Sequence, residues 1–152
     1  MLRINRQTDY AVRVLLCLAT RETNTRLSSA LIREEMLIPQ SFMPRIVAQL
    51  ANAGLVKTFA GRDGGLQLAR SASEITLRDV VEVFEGPMLL SECMQAHGDE
   101  DDCPFAGNCH VRTKWGRVQL AMLREMAATN FASLAQETNA QPPDAKSPFS
   151  LL

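Results

Sequence analysis

The chain has 152 residues and a formal net charge of −1, with 46% hydrophobic and 22% charged residues. That length fits one domain, or one domain with an accessory helix, and no apolar run is long enough for a membrane-spanning helix. The N-terminal stretch MLRINRQTDYAVRVLL carries Asp9 and Arg13 inside its apolar part and lacks a small-residue cleavage site. It does not read as a secretory signal, so a cytoplasmic chain with reduced thiols is expected.

Residues 7–20, QTDYAVRVLLCLAT, predict a helix with Thr8 as N-cap and Tyr10, Ala11, Val14, Leu15 and Leu18 on one face. Cys17 falls in its apolar part and reads as a small core residue. SSALIREEM (28–36) predicts a second helix capped by Ser28 or Ser29, with Leu27 at the staple position. In IPQSFMPRIVAQLANAGLV, Pro39 closes the preceding segment and Ser41 is placed to cap a third helix. Pro44 then falls at the third helical position, where no intrahelical N–H bond is lost, and Gly54 sits just past the end. Phe42, Ile46, Val47, Leu50 and Ala53 make the inward face; Ser41, Arg45 and Gln49 make the outward one. LVKTF (55–59) and LQLAR (66–70) predict short strands around GRDGG, where Asp63-Gly64 is a turn signal. Two helices, a short turn and a hairpin make residues 1–70 a winged helix-turn-helix.

ITLRDVVEVFEGP (75–87) predicts a short helix capped by Thr76, with Asp79 in its first turn and Leu77, Val80, Val81 and Phe84 inward. Gly86-Pro87 stops it, and residues 71–92 connect the winged unit to a cysteine-bearing segment. That segment, 93–109, reads CMQAHGDEDDCPFAGNC and holds three of the four cysteines in the spacing C-x(9)-C-x(5)-C. It has no apolar period and carries four consecutive acids, Asp99 to Asp102. Residues 111–135 then predict one long helix with Trp115, Val118, Met122 and Met126 in a stripe, broadened by Leu120, Leu123 and Ala127. A stripe that wide needs cover, from a twofold partner or from the helix's own domain. Residues 138–152 read as a flexible tail. The fold class is mainly α with a small β-hairpin wing.

The near-neutral total charge hides a split. Residues 1–70 hold ten Lys/Arg against five Asp/Glu, and residues 71–152 hold six against twelve. A basic first half suits an anionic partner, double-stranded DNA above all, although an ordinary solvated surface has the same charge. A helix-turn-helix lays its second helix in the major groove. There Arg45 can bridge two guanine acceptors, Gln40 or Gln49 can pair with adenine, and Ser41 suits a phosphate. The wing, Gly61, Arg62, Gly64 and Gly65, can reach the neighbouring minor groove.

Cys93, Cys103 and Cys109 are soft ligands for an iron–sulfur cluster or for zinc. Structural zinc favours four closely paired ligands, and no such pairing exists here. Three thiolates can hold three corners of a four-iron cluster, and the fourth needs His97, His110, Asp9 or a non-protein ligand. Iron–sulfur ranks first, zinc second, and redox thiols or no metal last. Pro104 and Phe105 are the segment's few shielding residues, so its order depends on what it binds. No nucleotide-binding glycine motif and no acid/base constellation appears, which ranks an enzyme last and offers no small-molecule substrate site.

TDYAVRVLL, IPQSFMPRIVAQLANAGLV, GRDGGLQLAR, SEITLRDVVEVFEGP and three cysteines before a long helix together resemble the winged-helix iron–sulfur regulators typified by IscR, NsrR and RirA. The likeness covers about residues 1–137. It implies a homodimeric DNA-binding repressor in which Cys93, Cys103 and Cys109 hold the cluster, 4Fe–4S ahead of 2Fe–2S. It also implies that residues 110–137 are the dimerisation helix. Asp9 matches the aspartate that NsrR-like members contribute from the partner subunit as fourth ligand, which implies nitric oxide sensing. The nine-residue first spacer and the run ECM…DCPF…NC look more like the iron-responsive RirA branch. Where IscR-like members carry a ligand histidine three residues after the last cysteine, this chain has Arg112. Where many relatives have arginine before the first wing glycine, it has Ala60.

Overall fold

The computed structural model describes residues 3–62, 64–91 and 109–140. In chain order these form α1 (Arg6–Ala19), α2 (Ser29–Glu35), α3 (Met43–Asn52), β1 (Val56–Phe59) and β2 (Gly65–Leu68). A 3-10 turn (Ala72–Glu74), α4 (Leu77–Glu85), α5 (His110–Ala128) and α6 (Phe131–Ala140) complete the order. The architecture is the expected one, mainly α with an antiparallel β1–β2 wing. Asp63, the cysteine segment up to Asn108 and residues 141–152 lie outside the described residues, and with them Cys93, Cys103 and His97.

Helix α1 is the centre of the fold. Ala11, Val14, Leu15 and Cys17 are fully buried on it, and it packs against α2, α3, α4 and α6. Its cap is Asn5, not Thr8: Asn5 has the extended backbone of a cap, and its Oδ1 accepts the Thr8 N–H at 2.9 Å. Thr8 is instead wholly buried within the first turn. Its hydroxyl donates to Glu85 at the end of α4, and the Glu85 carboxylate also accepts the Asn5 N–H at 2.9 Å. A single carboxylate therefore ties the start of α1 to the end of α4.

Ser28 caps α2, accepting the Leu31 N–H at 3.1 Å. The chain then turns through Leu37 at φ 52°, a left-handed position. Ser41 does not cap α3. The Phe42 N–H already donates to the Pro39 carbonyl at 3.0 Å, so Gln40 and Ser41 sit inside a turn and Phe42 takes the cap position. Pro44 is consequently the second helical residue, not the third. At the other end Gly54 (φ 68°) and the bonds Gly54 N–H to Ala51 and Leu55 N–H to Leu50 close a Schellman motif. Ala53 ends up exposed, because it is the cap, and Met43 is buried on the inward face in addition to Ile46 and Leu50.

Helix α4 is capped by Thr76 with Asp79 in a reciprocal capping box, and Gly86 at φ 74° ends it. The long C-terminal helix expected over 111–135 is two helices. Thr129 goes extended, Asn130 bridges to Thr76, and the Asn130 side chain accepts the Ser133 N–H at 2.9 Å to start α6. Two further bonds seat the break against α4: Leu77 N–H to Thr129 at 2.9 Å and Phe131 N–H to Ile75 at 3.0 Å. The bend lets Phe131 enter the core fully buried, and α6 continues to Ala140, past the expected start of the tail. Helix α5 itself has no buried residue.

Candidate nucleic-acid interface and cysteine site

The α2–turn–α3 unit is held from behind by α1. The Tyr10 and Phe42 rings meet edge to face at 5.1 Å between centroids, and Arg13 donates to the Met36 carbonyl at 3.4 Å where α2 ends. This fixes the start of α3 and leaves its other side outward. Gln40, Ser41 and Arg45 are all exposed on that side, as expected. Gln49 is only partly so: its Oε1 is buried without a hydrogen-bond partner among the described residues. An amide oxygen left so costs about 1–3 kcal/mol until it turns to a partner.

In the wing, the Gly64 N–H donates to Gly61 at 3.1 Å and closes the loop, Gly61 has φ 97°, and Arg62 is exposed. Gly64 and Gly65 have packing reasons to be glycine. A Cβ on Gly64 would lie 2.4 Å from the Phe59 carbonyl oxygen, and one on Gly65 would lie 2.5 Å from that of Leu27. Arg26, Arg45, Lys57 and Arg62 are exposed and enter no salt bridge among the described residues.

Cys109, the one predicted thiolate ligand among the described residues, is the N-cap of α5. Its Sγ is half-buried and accepts the Arg112 N–H at 3.3 Å. The sulfur thus stands at the helix start with one backbone N–H directed at it. Asp9 is exposed in the first turn of α1 and pairs with Arg13 at 2.8 Å. His110 is exposed beside Cys109. Cys17 belongs to different chemistry. Burial first, then its 3.4 Å hydrogen bond to Glu35, pushes its pKa to about 11, so it is a protonated core thiol. Among the described residues no group of three His, Cys, Asp or Glu side chains could hold a metal. Two of the three expected thiolates lie outside them.

Sequence reasoning missed two groups here: the Asn5–Thr8–Glu85 lock and the Arg26 side chain, which stacks on Phe59. Neither has a local signal, because each joins residues far apart in sequence.

A helix-turn-helix with an exposed, unpaired arginine on its second helix and another on a β-wing defines a winged-helix transcription regulator. The family model of Rrf2, an iron-dependent transcriptional regulator, matches residues 4–137, and the chain belongs to this family. Protein aau3 of Rhizobium meliloti is 42% identical over 109 residues, 71% of this chain and 68% of that protein. The transcriptional regulator NsrR of Geobacillus kaustophilus is 31% identical over 136 residues, 90% of this chain and 91% of its own length. The structure of CymR, the global cysteine regulator of B. subtilis, superposes with a TM-score of 0.74 at 27% identity. That match covers 90% of this chain and 98% of CymR. IscR of T. potens shares the fold at a TM-score of 0.69 and 20% identity, covering 99% of this chain and 97% of its own. The chain is thus a DNA-binding regulator of transcription and not an enzyme. No helix among the described residues is long and apolar enough to cross a membrane.

Proposed function

We propose that the chain is a cytoplasmic repressor that binds its operator as a homodimer and reports iron, nitric oxide or redox state through an iron–sulfur cluster. Cys93, Cys103 and Cys109 would hold the cluster, with Asp9 supplied by the partner subunit as fourth ligand. The observation that carries the reading is Cys109: its Sγ caps α5 and accepts a backbone N–H, at the junction of the cysteine segment and a helix without a buried residue. The donor set fits the group, since soft thiolates and one carboxylate suit iron better than they suit a paired-cysteine zinc site. The bound cluster would supply a redox- and ligand-sensitive centre. The chain's own residues would do the reading: Arg45, Gln40 and Gln49 at base edges, Ser41 at a phosphate, and the wing from Gly61 to Gly65, with Arg62, in the minor groove.

Arg13 supports a route between the two sites. It pairs with Asp9 and reaches the Met36 carbonyl at the helix-turn-helix turn, so drawing Asp9 away to iron frees a group that touches the reading head. The likeness to NsrR over 90% of the chain favours, as a second reading, a dedicated nitric oxide sensor.

The test is anaerobic purification with iron and sulfide assays, Mössbauer spectroscopy, and operator binding before and after cluster loss. Brown protein carrying iron and sulfide, whose DNA affinity changes when Cys93, Cys103 and Cys109 are replaced by serine, is expected. Colourless, zinc-loaded protein with unchanged affinity in the triple variant would reduce it to a DNA-binding protein with a structural metal. Nitric oxide that abolishes binding where iron withdrawal does not would select the second reading.

A further inference from the structure

The base of the wing holds a cation that the base- and groove-reading residues leave unused. The Arg26 guanidinium carbon lies 3.7 Å from the centroid of the Phe59 ring, well within cation–π range. Arg26 is exposed and enters no salt bridge among the described residues. Phe59 ends β1, and the wing loop with Gly61 and Arg62 begins immediately after it.

The backbone sets this pose. Leu27 N–H donates to the Leu66 carbonyl at 3.0 Å and Leu66 N–H donates back at 2.7 Å, so Leu27 forms an isolated antiparallel bridge to the free edge of β2. Leu27 and Leu66 are both buried. By strand alternation Arg26 then lies on the opposite, outer face with Lys57, Phe59 and Gln67. Leu27 can come this close only because Gly65 has no Cβ to meet its carbonyl. Stacking uses one face of the guanidinium and leaves its in-plane N–H groups pointing at solvent, in the fork that fits two oxygens of a phosphate. An aromatic floor also removes rotamer freedom before binding, which lowers the cost of making the contact.

We propose that Arg26, preset by Phe59, grips a phosphate of the DNA backbone at the base of the wing. The proposal rests on the reading of this chain as a DNA-binding protein. A phosphate contact carries no sequence information, so it strengthens operator and non-operator binding alike.

The experiment measures binding of the full-length protein to a random-sequence duplex by fluorescence anisotropy over a series of salt concentrations. Arg26→Gln, Arg26→Lys, Phe59→Leu and Arg45→Ala are compared with the wild type, each with its melting temperature. Arg26→Gln is expected to bind about three- to ten-fold more weakly and to lower the slope of log affinity against log salt by about 1. Arg26→Lys keeps the slope and regains part of the affinity. Phe59→Leu weakens binding with the slope kept. An Arg26→Gln variant with wild-type affinity and slope overturns the proposal, and a lowered melting temperature alone makes Arg26 a staple of the fold. Arg45→Ala weakening binding while Arg26→Gln does not would sink only the Arg26 contact. Wild-type protein that binds no DNA would sink the DNA-binding reading itself.

Discussion

Helix α5 presents Val111, Trp115 and Val118 to solvent at 61%, 45% and 52% exposure, one above the other on a single side. In the proposed homodimer a second copy covers this stripe, on the side of α5 turned away from α4. Trp115→Glu tests this. With 45% of the residue in water, roughly 100 Å² of mainly apolar surface awaits cover. At about 25 cal/mol per Å² that burial contributes about 2.5 kcal/mol, and the twofold axis counts it twice, for about 5 kcal/mol per dimer. A dissociation constant thus rises by about three decades or more before the cost of burying a carboxylate is added. Sedimentation across micromolar concentrations reads the shift directly, and DNA affinity should fall with the dimer. The far-UV circular dichroism of the protomer should hold, since Trp115 is not buried within it, while the melting temperature falls with the lost association. Thr113→Glu, on the far side of α5, adds the same charge and should leave the dimer intact. The reasoning fails if Trp115→Glu sediments as the wild type does, or if the wild type is a monomer throughout.

Glu85→Ala removes the acceptor shared by Asn5 and Thr8 and should cost about 1–2 kcal/mol in urea unfolding, with Glu85→Gln costing less. The Thr8 hydroxyl and the Asn5 N–H hold the Glu85 pKa below its ordinary 4.5, so the wild type's advantage over Glu85→Gln is full above that value. It should be lost as pH falls through the depressed folded value; an advantage that grows on acidification would contradict the lock. Gly65→Ala brings a Cβ to 2.5 Å from the Leu27 carbonyl at a φ of 154°, and should break the Leu27–Leu66 bridge at a cost of about 2–3 kcal/mol. Amide exchange at Leu27 and Leu66 checks it, and unchanged protection would count against the close approach. Leu37 is 81% exposed at φ 52°, so Leu37→Gly relieves backbone strain while losing little packing and should raise stability by about 0.5–1 kcal/mol. A loss in the same urea titration would mean that the leucine makes contacts that its exposure denies.

The residues that announced themselves in the sequence act on their neighbours. Ser28, the Thr76–Asp79 pair, Gly54 and Gly86 cap or stop helices through bonds to residues within a few positions, and each stands where the sequence put it. The outward set of α3 was legible for the same reason, since the helical period alone fixes which side Arg45 takes. Thr8 and Ser41 were misread as caps because a hydroxyl before an apolar run is ambiguous. A better-placed Asn5 and a competing turn from Pro39 to Phe42 decided the matter. The break at Thr129–Asn130 escaped a reading by period, because the apolar spacing continues across it while the backbone leaves to pair with residues 75–77. What the sequence could not disclose is where distant elements meet, and on α4 those meetings bear on function. Its start is pinned to the α5–α6 junction through Thr76 and Leu77, and its end to α1 through Glu85. Just beyond, the Leu90 N–H donates to Gln119 of α5 at 3.1 Å. The cysteine segment therefore leaves from an end already bonded to α1 and α5, and re-enters at the Cys109 cap of α5. Under the proposed function, a group bound by that segment would act through two ends, one toward the helix that braces the reading head and one toward α5, the proposed pairing helix. That is the minimum a regulator needs for one site to govern both pairing and DNA affinity.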